Sequence, residues 1–311
     1  DRLPGVRTLS KQRNVSIATV ITAYRHLEDA GLIEARNRSG YYLREKSQPL
    51  APEPLTSRPP NKPVPVNGQA LVLNMGKASH DPSVIQLGAV VPDASFLPVR
   101  AIERAITQAA RFHRDNVAAY EFPPGLPALR RQIARRMVEA GCPVHPDEIV
   151  ITNGCQEALS LALRAVTKPG DVVAVESPTF YGLLQVIDNL GLKALEIPTH
   201  PRTGISLEAL ELALEQWPIK ACTVTPNFSN PLGSCMPDDH KARLVELLAS
   251  RNIPLVEDDV YGDLGFSTGR PSICKALSQA GDVLYCGSFS KTLAPGLRIG
   301  WIVPGRHQQQ V

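Results

Sequence analysis

Apolar residues along this chain fall into three regimes. Over residues 1–45 they follow a helical period and then shorten to strand-length runs. Thr8 to Arg13 predicts a short helix, Asn14-Val15 a turn, and Ser16 an N-cap whose hydroxyl can accept an N–H from the next turn. Beyond it Val20, Tyr24 and Leu27 recur at helical spacing, with Ile17 and Ile21 alongside, down to a stop at Gly31. Val20, Tyr24 and Leu27 are expected in the core. Leu32 to Ala35 and Gly40 to Arg44 predict two short strands around a hairpin tip at Asn37-Arg38-Ser39.

Residues 46–69 break the pattern. They hold seven prolines, at 49, 52, 54, 59, 60, 63 and 65, and almost no large apolar side chain. Such a stretch builds no core and favours polyproline geometry, so a semi-rigid linker is expected, with an ordered arm wrapped on the larger part as the alternative. From Leu71 onward helical patterns alternate with short apolar runs. Pro98 to Ala110 and Pro127 to Ala140 predict helices, the second closed by Gly141. Glu148 to Ile151 predicts a strand leading into Asn153-Gly154-Cys155-Gln156, followed by a helix through Val166. Further strands fit Val172 to Glu176, Lys193 to Ile197, Ala221 to Val224, Pro254 to Glu257 and Leu284 to Cys286. Strands separated by helices imply an α/β domain with a largely parallel sheet, whose ligands gather beyond the carboxyl ends of the strands. The chain thus divides into a head over 1–45, a connector over 46–69 and a body over 70–311.

Composition sharpens the division. With 43% hydrophobic and 20% charged residues the chain is well cored. No apolar run approaches the ~20 residues needed to cross a bilayer, and no signal peptide opens it, so no membrane partner is expected. The six cysteines (Cys142, Cys155, Cys222, Cys235, Cys274 and Cys286) lack metal-ligand or disulfide spacing. Free thiols, no metal and a reducing, cytoplasmic compartment are expected. The net charge of +3 sits wholly in residues 1–45, which carry eight Lys or Arg against five Asp or Glu. A basic head on a neutral body suits a nucleic-acid module attached to something else. Helix, tight turn, helix, hairpin is the order of a winged helix-turn-helix, whose second helix enters the major groove. Ser16, Thr19 and Thr22 are the candidate groove contacts. Arg7 and Arg38 suit backbone phosphates, the plainer reading of each being an exposed solubilising charge.

The densest chemistry lies in Ser288-Phe289-Ser290-Lys291 and the Gly-Leu-Arg-Ile-Gly run over 296–300. A lysine so placed can condense with an aldehyde cofactor, while the hydroxyls and Arg298 can hold a phosphate. A pyridine aldehyde on Lys291 withdraws electrons only while its ring nitrogen stays protonated, which calls for a carboxylate. Asp258 stands at the end of the strand Pro254 to Glu257, placed for that. Tyr261 and Asn230, the latter in Asn230-Pro231-Leu232-Gly233, can reach the ring hydroxyl. Backbone N–H groups at Gly154, Cys155 and Gln156 can take the phosphate together with Ser288, Ser290 and Arg298, and Phe180 can stack on the ring. Each has a plainer reading: Asp258 or Asp259 as a helix cap, Asn230-Pro231 as an ordinary turn, Phe180 as core. Their joint occurrence in this order favours the cofactor.

Two resemblances extend this. Leu3-Pro4-Gly5-Val6-Arg7, the run Asn14 to Val20, Ala23-Tyr24-Arg25-His26-Leu27 and the wing Arg38-Ser39-Gly40 resemble the DNA-binding head of GntR-type bacterial regulators. Ile17 replaces a frequent arginine and Arg38 the first wing glycine, departures that imply altered base or phosphate readout. From Gln86 to Pro304 the chain resembles the fold-type-I pyridoxal-phosphate aminotransferases, in particular the branch with alpha-aminoadipate and kynurenine aminotransferases. That resemblance implies Lys291 as the Schiff-base lysine, Asp258 as pyridinium partner, Tyr261 and Asn230 as ring-hydroxyl ligands and Phe180 as the stacking residue. It implies a phosphate cup of Gly154, Cys155, Gln156, Ser288 and Arg298, with Ser290 close by. Tyr120, in Tyr120-Glu121-Phe122-Pro123-Pro124-Gly125, is implied to reach the phosphate of the neighbouring subunit in a homodimer. Gly88-Ala89 and Pro92-Asp93 resemble the N-terminal substrate loop.

The expected fold class is therefore α/β: a fold-type-I PLP-dependent transferase large domain with an N-terminal, partial winged helix-turn-helix. Head, linker and body together resemble the MocR subfamily of GntR regulators. This implies pyridoxal 5'-phosphate as cofactor, with promoter DNA and an amino-acid or amine effector as partners. It also implies a helix ahead of Asp1 and a C-terminal region beyond Val311 carrying the arginine that clamps a substrate carboxylate. Three functions stand: an effector-sensing regulator, a working aminotransferase in which Lys291 moves the α proton, and a cofactor-binding protein whose head has lost DNA affinity.

Overall fold

The computed structural model describes residues 1–37, 39–44, 53–66, 83, 90, 92–113, 119–266, 269–278 and 281–311. Arg38 and Gly88-Ala89 lie outside the described residues. The chain divides into two compact units, Asp1–Glu53 and Pro54–Val311.

In the first unit, helix α1 (Val6–Arg13) ends at Asn14, which adopts a left-handed φ of 54° that asparagine tolerates better than most residues. Helix α2 (Ile17–Asp29) begins at the expected cap, where Ser16 Oγ accepts the Thr19 N–H at 3.0 Å. Strands β1 (Ile33–Arg36) and β2 (Gly40–Leu43) pair antiparallel. Val20, Tyr24 and Ile33 are buried, with Leu3, Val6, Leu9, Leu27 and Tyr41 packed on them. The Tyr24 hydroxyl donates to the Pro4 carbonyl at 2.7 Å, so the buried phenol is satisfied.

The second unit is built on a mixed sheet. Its strands are β3 (Val64–Pro65), β4 (Val150–Thr152), β5 (Val172–Ser177), β6 (Lys193–His200), β7 (Gly204–Ile205), β8 (Ile219–Val224), β9 (Leu255–Asp258), β10 (Val283–Ser288) and β11 (Gly300–Val303). They run in the order β3-β6-β5-β8-β9-β10-β11-β4, with β7 paired to β6. Strands β6, β5, β8, β9 and β10 are mutually parallel, whereas β11 is antiparallel to both β10 and β4. Helices α3 (Val99–Phe112), α4 (Pro127–Glu139), α5 (Cys155–Val166), α6 (Tyr181–Asn189), α7 (Leu207–Gln216), α8 (Asp238–Ser250) and α9 (Cys274–Leu277) complete the unit. Both sheet faces are buried. Val172 and Ala174 pack with Leu195, Leu210 and Leu244, while Val173 and Val175 pack with Leu159, Leu163 and Ile187. Burial on both faces makes β5 read as a continuous apolar run.

Two expectations are corrected. The proline-rich stretch, expected as a linker over 46–69, is from Pro54 to Val66 an arm laid on the body. Val64–Pro65 pairs with Ala194 and Lys193 at the sheet edge, and the Ser57 hydroxyl donates to the Ser177 carbonyl and accepts the Thr199 N–H. Proline is tolerated there because an edge strand needs no outward N–H. The strand expected from Glu148 starts only at Val150, because Pro146–Glu148 forms a 3-10 turn in which the Glu148 carboxylate takes the His145 N–H at 2.7 Å. Strand β11 was not expected at all. Among the described residues, no helix is long and apolar enough to cross a membrane.

Candidate functional site

Register explains why distant residues meet. Strands β9 and β10 are parallel with Asp258 opposite Cys286, so Asp258 and the turn leading to Lys291 leave the sheet at the same edge. Strand β11 returns antiparallel to β10 and pairs Gly300 with Thr152 of β4, which brings Arg298 beside the Asn153-Gly154 turn that opens α5. That approach needs two glycines. Gly154 has φ 88°, and a Cβ there would collide with the Arg298 guanidinium. A Cβ on Gly300 would lie 2.8 Å from both Cys155 N and Gly154 Cα, closer than side-chain carbons come. Arg298 itself holds φ 53°, an uncommon left-handed setting for a non-glycine residue, and donates from Nη2 to the Asn153 carbonyl at 3.1 Å.

These elements enclose an open-mouthed cavity of about 160 Å³, lined by Cys155, Gln156, Phe180, Asn230, Asp258, Tyr261, Ser288, Ser290, Lys291 and Arg298. Gly154 supports its rim from behind. Tyr120 does not line it and is 91% exposed. Cavity-lining residues with no forewarning in the sequence are Leu159, Tyr181, Thr225, Val260 and Pro295. Thr225 directly follows β8 and Tyr181 opens the helix after β5, positions at the sheet's carboxyl edge that no particular residue type marks in the sequence. Of the candidate DNA contacts, Arg7, Ser16, Thr19 and Thr22 are exposed on the first unit.

The electrostatics of the cavity are unusual for groups that do nothing. Asp258 is 6% exposed, and its Oδ1 accepts the Cys155 thiol at 3.4 Å. Burial pushes its carboxyl up to about 6, against the lowering pull of the thiol and of the Val260 N–H. Burial likewise lowers the proton affinity of Lys291, whose Nζ donates to the Val90 carbonyl at 2.6 Å, with Asp258 opposing. Tyr261 is pushed up to about 12 by burial and accepts Asn230 Nδ2 at 3.2 Å. The Ser288 and Ser290 hydroxyls lie 2.8 Å apart. No side chain caps the start of α5, so the first N–H groups of α5, next to Gly154, are available to an anion.

Strand alternation separates this face from the other. Asp259 points away from the cavity to Arg270, the Tyr285 hydroxyl at 2.8 Å and Asn227 Nδ2 at 3.0 Å. Neither Asp258 nor Asp259 caps a helix. That task falls to Glu257, which accepts the N–H groups of Cys274 and Lys275 at 2.7 and 2.9 Å.

Comparison with known proteins agrees with both units. Residues 83–306 match the family described as Aminotransferase class I and II, and residues 1–43 match Bacterial regulatory proteins, gntR family. This chain is a GntR-family protein of the MocR type. Two HTH-type transcriptional regulators of Escherichia coli, YjiR and YdcR, both called uncharacterized, are 45% and 42% identical over 100% of the chain. The MocR-type chain spans 66% of the length of each. Among solved structures it is similar to kynurenine aminotransferase from Pyrococcus horikoshii, solved in complex with PMP, at a TM-score of 0.70 and 32% identity, covering 77% of this chain and 61% of that one. Alpha-aminoadipate aminotransferase LysN of Thermus thermophilus matches at 0.66 and 30%, over 71% of this chain and 56% of that one.

Proposed function

We propose that the chain acts as a transcriptional regulator that holds pyridoxal 5'-phosphate, binds promoter DNA through residues 1–45 and responds to an amino acid or amine. The supporting observation is the cavity itself, where a buried carboxyl, a partly desolvated lysine and an arginine beside an uncapped helix start face one space. Those groups fit the cofactor's three ends: ring nitrogen, aldehyde and phosphate. When bound, pyridoxal phosphate supplies an aldehyde that condenses with primary amines and a ring that withdraws electrons.

The chain's own residues do the rest. Lys291 offers an amine whose lowered proton affinity keeps more of it neutral and nucleophilic. Asp258 would hold the proton at the ring nitrogen. Arg298, the hydroxyls of Ser288 and Ser290 and the N–H groups of Cys155 and Gln156 would neutralise the phosphate. Tyr261 and Asn230 would hold the ring oxygen, and Phe180 would cover a ring face. Gly154 keeps the cup open. An amine entering the cavity would compete with Lys291 for the cofactor, so whether Lys291 is engaged or free would be the difference that an effector can shift. In a homodimer, Tyr120 would serve the neighbour's phosphate, and the head would act in the cytoplasm on promoter DNA.

A working aminotransferase is the second reading, favoured by the same lysine: once freed, its amine is a base inside the cavity. Full-length protein loaded with cofactor separates the two. Operator binding at stated salt and keto-acid release from an amino-acid panel are measured side by side. The regulator reading expects sequence-preferring DNA binding that changes with an amino compound. Rapid keto-acid production with no DNA preference overturns it.

A further inference from the structure

Helix α2 opens with an aliphatic side chain that lies outside the core of its unit and is about half exposed. Ile17 is 47% exposed and Val15, just before the cap, is 40% exposed. Neither belongs to the core, which Val20, Tyr24 and Ile33 fill. The hydroxyls on the same turn are engaged with each other. Ser16 Oγ and Thr19 Oγ1 lie 2.8 Å apart, and Ser16 Oγ also accepts the Thr19 N–H. The turn therefore presents the Val15 and Ile17 methyl groups to its surroundings beside exposed hydroxyls that are already paired with each other.

Resting on the DNA-binding reading above, we infer that Ile17 reads the 5-methyl group of a thymine in the major groove. Thymine alone among the four bases offers a methyl group there; the other edges offer donors and acceptors. An isoleucine pressed against those would strip water from polar groups and give nothing back, so it rewards thymine and penalises guanine or cytosine. DNA is the occupant favoured over an apolar protein surface because the excess positive charge of the chain lies entirely within residues 1–45. The residue that departs from the frequent arginine thus changes the readout rather than removing it.

The test uses the full chain and a random-sequence DNA duplex library. Selected sites are remade with each thymine in turn replaced by deoxyuridine, which removes one methyl group and nothing else. The expected result is one thymine position whose methyl loss weakens binding about fourfold, the effect of unburying a single methyl group. Ile17→Ala should bind the thymine and deoxyuridine duplexes equally at that position, with its salt dependence unchanged because phosphate contacts remain. Alanine is also the stronger helix former at this exposed site, so the unit stays folded. Enrichment of a site in which no thymine methyl matters, or an Ile17→Ala protein that still distinguishes the two duplexes, overturns this inference alone. A library from which nothing is enriched overturns the regulator reading and this inference with it.

Discussion

Burial pushes the Asp258 carboxyl up to about 6 and lowers the proton affinity of Lys291 in the same cavity. The sign of its pH dependence follows. Asp258 ionises above about 6, and only the ionised form attracts a protonated ring nitrogen. Cofactor retention should therefore be full above about 6 and fall as pH drops through that value. The cofactor-free protein should run the other way. A carboxyl raised in the fold stabilises most below its ordinary range and loses that contribution as pH rises, and Glu176 at about 8 and Glu257 at about 7 act in the same direction. Melting curves with and without cofactor between about pH 5 and 8 should diverge with rising pH. Asp258→Asn should weaken retention at neutral pH and flatten the step near 6; an unchanged profile would detach Asp258 from the ring nitrogen. At this scale the meeting of Lys291, Asp258, Asn230, Tyr261 and Arg298 in one cavity was legible in the sequence, because the chemistry proposed for each demands a particular residue type. Thr225 and Tyr181 were not, because what puts them in the cavity is strand register alone.

At the scale of elements, the proposed phosphate cup depends on the return of β11 against β10 and β4, which sets Gly300 on Gly154 and Arg298 beside the turn that opens α5. Gly154→Ala tests this directly. Its φ of 88° is a strained setting for alanine, and the added carbon meets the Arg298 guanidinium. The expected outcome is a protein that still folds, destabilised by about 1–2 kcal/mol, with phosphate-dependent cofactor retention lost well beyond that cost. Retention equal to the parent would mean the cup lies elsewhere. Helix α2 and its cap were read from Ser16 and the Val20-Tyr24-Leu27 spacing because local chemistry fixed them. Strand β11 was missed because Gly300–Val303 is buried on both faces and shows no alternation. The arm over Pro54–Val66 was read as a linker because its prolines suit solvent as well as a sheet edge, and only the pairing with β6 decides between them.

At the scale of the whole molecule, one predicted contact points outside the chain. Tyr120 is 91% exposed and does not line the cavity of its own chain, and in the proposed homodimer it would serve the neighbour's phosphate. Tyr120→Phe should lower cofactor retention about tenfold, the scale of one hydrogen bond to a charged group, while leaving the absorption of the bound cofactor unchanged. Retention equal to the parent, measured by dialysis of the dimer, would remove Tyr120 from the shared site. The head and body together give a MocR-type protein whose two halves were legible separately, from motif and periodicity. How an amino compound in the cavity alters DNA affinity was not legible, because it depends on two global states and not on any one residue.

The claim on which the rest depends is the bond between cofactor and chain. Purified protein loaded with pyridoxal phosphate, reduced with borohydride and digested should carry the pyridoxyl group on the peptide containing Lys291, and Lys291→Ala protein should carry none. A pyridoxyl group on any other lysine, or equal labelling of the Lys291→Ala protein, would contradict it.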